Sequence, residues 1–483
     1  MTGPAGPPGR VAPVSTIDDP AAGDHSAVTK LREAGAAEPA LQAFTRAVER
    51  VVAGEAGLLA EDAIEPVDAL PDAEGLATPD RDAVAAALDK AVVVKLNGGL
   101  GTSMGLSGPK ALLEIKEGLT FLDVIARQVL HLRGQTGARL PLVLMHSFAT
   151  QEPSLEALAE YSDLAEQDVP TDFLQGKIPK LRADDLEPAE HPADPDLEWA
   201  PPGHGDVYAS LVGSGMLAAL LDRGYRYAFV SNADNLGAVL DPALLMWFVE
   251  EGAPFLMEVA DRSAADRKGG HIARRRGGGF VLRELAQTPE ADVESFQDVE
   301  RHRFFNTNNL WVDLRALDVA LQREGGALDL PLIVNHKTVD PKDSESTPVL
   351  QLETAMGAAI DVWDGAQAIR VARRRYAPVK TTNDLLAVRS DAFLLNQDSR
   401  VELAPERDGR PPVVALDPSH HKLVDAFEER FSDGPPSLVA CERLEVTGDV
   451  AFGGGIVVRG VARVEHTGPG RLELAPGTVL GDA

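Results

Sequence analysis

Four glycines, Gly98, Gly99, Gly101 and Gly105, follow an apolar run and lead to Pro109 and Lys110 in AVVVKLNGGLGTSMGLSGPKALLEIK, residues 91–116. Glycine strips side chains from a turn, so backbone N–H groups can approach an anion or a flat base, and a lysine closing the loop adds positive charge. Such a loop suits phosphate. Two familiar patterns fail, however: G-x-G-x-x-G counted from Gly99 meets Met104, and in a P-loop Pro109 would have to be absent between Gly108 and Lys110. The plainer alternative is a glycine-rich surface turn with a solvated lysine.

Further residues of chemical interest follow. Asp234 and Asn232 come directly after the apolar run 227–230, so they belong at the carboxyl end of a strand, where open α/β sheets collect ligands. His204 stands in PPGHGD, a turn too rich in Pro and Gly for a helix or central strand; Asn306 and Asn308 stand in FFNTNN, and Lys380 in YAPVKTTND. Taken singly, these are a structural histidine, polar turns and a loop lysine.

The elements that must position them alternate. Strands are expected at 92–96, 141–146, 227–230 and 255–259, with helices at 120–132 and around 155–161, which implies an α/β domain with a largely parallel sheet. Residues 274–285 suggest a hairpin attached to that sheet, with the arginine run Arg274–Arg276 on its solvated face. Residues 1–27 look like a mobile arm, and 28–90 carry amphipathic helices ahead of the α/β region 91–395. In 396–483, short apolar stretches between Gly and Pro indicate a small β domain, broken by a helix near 423–431. The stretch between Lys180 and Trp199 reads as an acidic solvated loop.

The string LNGGLGTSMG with the following PK resembles the signature of the UDP-sugar pyrophosphorylases, in particular the eukaryotic-type UDP-glucose pyrophosphorylase group. LMHSFAT at 144–150, FLQGKIPK at 173–180, PPGHGDVY at 201–208, SNADNLG at 231–237, FFNTNNLWVDL at 304–314 and QLETAMGAAI at 351–360 agree in order. The resemblance implies a Rossmann-like, GT-A-like nucleotidyltransferase domain with a mixed sheet and a C-terminal left-handed β-helix. It implies uridylyl transfer from UTP to glucose 1-phosphate, giving UDP-glucose and pyrophosphate by one in-line displacement with Mg2+ as cofactor.

Lys110 and Lys380 then match the phosphate-neutralising lysines. Leu96, Asn97, Gly98, Gly99, Met145, Gln175 and Gly203 match positions around the nucleotide. His204, Asn232, Glu284, Phe305, Asn306 and Asn308 match the sugar-phosphate site, and Asp234 the metal ligand. Lys337 is a further candidate or a surface lysine. Ser103-Met104, Leu106-Ser107 and His146 depart from common forms of the pattern, which bears on selectivity. The rival readings are an N-acetylglucosamine or broad-specificity relative, and a non-catalytic UTP or UDP-sugar sensor.

Composition adds limits. A chain of 483 residues, 44% hydrophobic, buries a large core and divides into two or three domains. Its 46 basic against 75 acidic residues, a net charge of −29, argue against coating nucleic acid. If the ligands are polyanions, lysines and a cation must reverse that field locally. No run reaches the roughly 18 apolar residues of a membrane helix, no secretory signal is evident, and the single Cys441 suits a reducing cytoplasm. The C-terminal domain is a candidate for self-association.

Overall fold

The computed structural model describes residues 25–165 and 169–481. Most of the expected arm lies outside these residues; the first described helix is Ser26–Glu33. The core is a ten-stranded sheet. Its centre is the strand Ala91–Asn97, β-branched and buried on both faces, with Tyr227–Asn232 on one side and Leu142–His146 on the other, all parallel. The sheet departs from the largely parallel expectation at Phe304–Asp313, which runs antiparallel to both Tyr227–Asn232 and Phe255–Asp261. It is therefore mixed.

The helix expected at 120–132 runs Phe121–Thr136: Thr120 and Asp123 form a capping box at its start, and Gly137 ends it with φ 71°. The helix expected around 155–161 starts earlier, at Gln151–Leu158. The hairpin is present as His271–Arg275 and Phe280–Arg283, antiparallel partners at the sheet's edge. Its arginines face solvent as expected, Arg274 and Arg276 exposed and Arg275 half-buried, with Arg274 over the Phe280 ring at 4.0 Å and Arg275 paired with Asp361 at 2.6 Å.

The stretch after Lys180 is not a loose acidic loop. Leu181, Leu186 and Ala189 are buried, Val349 and Leu350 pair with Arg182 and Leu181, and Glu198 binds Lys30 of the first helix at 2.5 Å. Apolar residues spaced among the acids provide the anchors that charge counting hides. At the C-terminal end, Val413–Ala415, Cys441–Thr447, Val457–Glu465 and Val479–Gly481 form one parallel set, and Val450–Phe452 pairs in parallel with Leu472–Leu474. The apolar core beneath one sheet face continues into this region through Leu385, Phe427 and Phe452. Cys441 is buried there, which pushes its thiol up to about 11 and leaves it unreactive. Among the described residues no helix is long and apolar enough to cross a membrane.

Candidate active site

Register brings the motifs together. Asn232 is opposite Leu96, Asn97 opposite His146 and His146 opposite Leu174 of the strand Asp172–Leu174, so the segments following four parallel strands open on the same sheet edge. Gly98 faces Gln175 closely: a Cβ there would lie 2.9 Å from Gln175 Oε1. Gln175 Nε2 donates to the Gly203 carbonyl at 3.2 Å. Gly203 has φ +80°, and a Cβ on it would lie 2.4 Å from the Thr354 carbonyl oxygen, so only glycine fits. Gly98, Gln175 and Gly203 thus form one wall.

Two expected nucleotide residues are turned inward. The Asn97 amide donates to Ser154 Oγ at 2.9 Å, and Met145, 1% exposed, packs with Val94 and Val143 below the sheet. Leu96 and Gly99 remain at the edge, and the Gly99 carbonyl accepts from Lys110 N at 3.0 Å, which closes the loop.

Across the edge, Lys110 Nζ donates to Asp234 Oδ2 at 2.6 Å. Both side chains are partly exposed, at 13% and 27%. Val379 N donates to the Asp234 carbonyl at 3.1 Å, which draws the Lys380 segment alongside. Lys380 Nζ lies 3.4 Å from the Tyr376 hydroxyl, and its main-chain N–H donates to Asp384, which also caps the helix Thr382–Arg389 with Thr381. Two lysines and one carboxylate from three distant segments therefore converge. Lys337 does not join them; it is exposed on the strand Leu332–Thr338.

His204 Nδ1 accepts from Met356 N at 2.9 Å, so the ring proton sits on Nε2. Burial holds its pKa down at about 4, making it a neutral hydrogen-bond donor at physiological pH. Burial pushes the Glu284 carboxyl up to about 7, against the opposing pull of Lys380, which shows the two to be electrostatic neighbours. Phe305 meets the Tyr376 ring edge-on at 4.8 Å. Asn306 and Asn308 bond each other at 2.8 Å on a bulge, where the partner strand steps from Glu258 opposite Asn309 to Val259 opposite Asn306. Asn308 takes φ 59° there, a conformation Asn tolerates.

Several residues beneath the edge escaped the sequence reading. Asp206, in the quoted PPGHGDVY, accepts from Gly176 N at 2.7 Å and Ser210 Oγ at 2.6 Å, bracing the Gln175 turn. Glu258 and Arg375, both buried, pair at 2.6 and 2.7 Å, and Trp311 and Asn309 also donate to Glu258. Lys95 is buried with its ammonium on Ser231 Oγ and the Ala238 carbonyl, and desolvation lowers its pKa to about 7. A charge inside an apolar strand, as in VVVKLN, was the available signal.

Among the described residues no group of three or more His, Cys, Asp or Glu side chains is placed to hold a metal ion. A hard cation at Asp234 would thus take its remaining ligands from water and phosphate oxygens, a donor set that suits Mg2+.

A mixed α/β sheet carrying a glycine loop, converging lysines and a strand-end carboxylate defines a nucleotidyltransferase. The model of the family described as UTP--glucose-1-phosphate uridylyltransferase matches residues 41–459, and the chain belongs to that family. A protein of that name from Hordeum vulgare is 40% identical, with 97% of each chain covered. One from Saccharomyces cerevisiae is 40% identical over 81% of this chain and 77% of its own. A UDP-glucose pyrophosphorylase from Leishmania major, solved in complex with UDP-glucose, superposes with a TM-score of 0.90 at 45% identity, covering 96% of this chain and 99% of that one. The Trypanosoma brucei UDP-glucose phosphorylase structure gives 0.86 at 46% identity, covering 94% and 97%.

Proposed function

We propose that this chain transfers the uridylyl group of UTP to glucose 1-phosphate, releasing pyrophosphate and forming UDP-glucose. A phosphate oxygen of the sugar phosphate attacks the α-phosphorus of UTP while the bond to the bridging oxygen of pyrophosphate breaks on the opposite side. No protein nucleophile is required. The work is positioning two polyanions and spreading the charge that repels them. The observation that carries this reading is the convergence of Lys110, Asp234 and the Lys380 segment.

Lys110 and Lys380 neutralise phosphate oxygens. His204 donates from Nε2 to the sugar phosphate, and Asn232 lies beside it. Gly98, Gly99, Leu96 and Gly203 present backbone to the uridine, Gln175 pairs with the base, and Met145 supports the pocket floor, while Asn97 holds the loop by its internal hydrogen bonds. Glu284, Asn306 and Asn308 accept from and donate to glucose hydroxyls over Phe305. Asp234 would hold Mg2+, which supplies charge neutralisation and template geometry on the triphosphate. The parallel pairing of short strands after residue 413 supports a C-terminal β-helix, whose outer strands offer a surface for self-association. The single buried thiol supports a reducing, cytoplasmic setting.

Pyrophosphate release with UTP, Mg2+ and a panel of sugar 1-phosphates tests the proposal. Release confined to glucose 1-phosphate is expected. Preference for an N-acetylhexosamine phosphate would move the sugar assignment, and UTP binding without release would identify a sensor.

A further inference from the structure

We infer that Asn235 is a positioning residue for uridylyl transfer: its amide fixes the Asp234 carboxylate relative to the Lys380 ammonium. The inference rests on the assignment of Asp234 and Lys380 to the reacting phosphates made above. Asn235 is 5% exposed, and every hydrogen-bonding position of its side chain that faces a partner is matched. Oδ1 accepts from the main-chain N–H of Gly237 at 3.1 Å and of Ala377 at 2.8 Å. Nδ2 donates to the Arg375 carbonyl and to Asn309 Oδ1, each at 3.2 Å. One small amide therefore shapes its own loop, grips the approach to Lys380 at two points and roots both in the sheet.

Two main-chain bonds complete the seam: Leu236 N to the Ala377 carbonyl at 3.2 Å and Val379 N to the Asp234 carbonyl at 3.1 Å. Beneath it, Asn309 Nδ2 donates to Glu258 at 3.1 Å and to the Arg375 carbonyl at 3.1 Å, while Glu258 holds the Arg375 guanidinium. The carboxylate and the lysine are thus borne by two segments tied as one body. Gly237 shows how tight the seam is, since a Cβ there would lie 2.4 Å from the Arg374 carbonyl oxygen. Displacement in line depends on the relative placement of charges, and shifts of about 1 Å are costly to the rate. Main-chain bonds alone leave the seam hinged; the Asn235 amide locks it.

The test is a kinetic cycle with Asn235→Ala, Lys380→Ala and the double variant, alongside Asp234→Ala, on folded full-length protein. Asn235→Ala is expected to lower kcat by about 10- to 100-fold while the KM for UTP stays within about threefold. Added to Lys380→Ala, it is expected to cost less than about threefold more, because it acts through that lysine. A purely structural role would not produce this loss of additivity. If Asn235→Ala does not fold, Asn235→Ser, which retains an accepting oxygen, takes its place. An undiminished kcat in the Asn235 variant, or the full loss repeated in the double variant, overturns the inference. If Asp234→Ala and Lys380→Ala themselves keep the parent kcat, the site assignment has failed instead.

Discussion

The two lysine-bearing segments are built on opposite plans. Lys110 ends a glycine loop that is closed on itself: Lys110 N bonds the Gly99 carbonyl, Met104 N and Leu106 N bond the Gly101 carbonyl, Met104 is buried, and among the described residues the one side-chain tie of the lysine is the ion pair to Asp234. Lys380 follows a segment sewn to the Asp234 loop by Asn235 and seated on the buried Glu258–Arg375 pair. One lysine is held by a loop bonded to itself, and the other by a segment sewn to its neighbour. The contrast teaches that the two lysines proposed to neutralise phosphate are carried by separately built backbones, so their contributions can be tested apart.

The largest effect that could break this contrast is catalytic. Lys380→Ala is expected to lower kcat by about 10^2- to 10^3-fold with little change in the KM for UTP, whereas Lys110→Ala should raise that KM about tenfold. Steady-state kinetics on both variants checks this, and equal kcat and KM patterns would erase the distinction. Next is stability: Glu258→Ala strands the Arg375 guanidinium in the interior and is expected to cost about 3 to 5 kcal/mol by urea unfolding. Leu106→Ala on the glycine loop should cost less than half as much, because that side chain is only partly buried.

Gly203→Ala sharpens the comparison from the base side. The positive φ and the Thr354 carbonyl at 2.4 Å force the wall outward, so the KM for UTP is expected to rise about tenfold with kcat within about threefold. The smallest effect is a pH dependence. The folded Glu284 carboxyl titrates at about 7, above its ordinary 4.5, so the native state keeps a proton the unfolded chain has released. Stability from this group is therefore present below about 4.5, falls as pH rises to about 7 and is level above. Glu284→Gln should flatten that slope in thermal melts taken across the window.

Much of the site was legible before the fold. The strand–glycine loop–lysine order, the strand-end Asp234 and the constrained His204 turn are local statements, decided by glycine's freedom, proline's rigidity and the period of apolar residues. The same signals placed the strands Ala91–Asn97, Leu142–His146 and Tyr227–Asn232 within a residue or two. Illegible were the antiparallel Phe304–Asp313 strand at the sheet's heart and the anchoring of the 180–199 stretch, both fixed by partners distant in sequence.

By itself, then, the sequence determined the chemical inventory and the loops that carry it, because turn chemistry and strand periodicity are properties of neighbouring residues. Only the tertiary structure decided that Asn97 and Met145 turn inward, that Lys110 meets Asp234, and that Asn235 binds the road to Lys380. Those outcomes depend on which buried polar groups find partners, and a buried donor or acceptor is satisfied by whatever the fold brings to it.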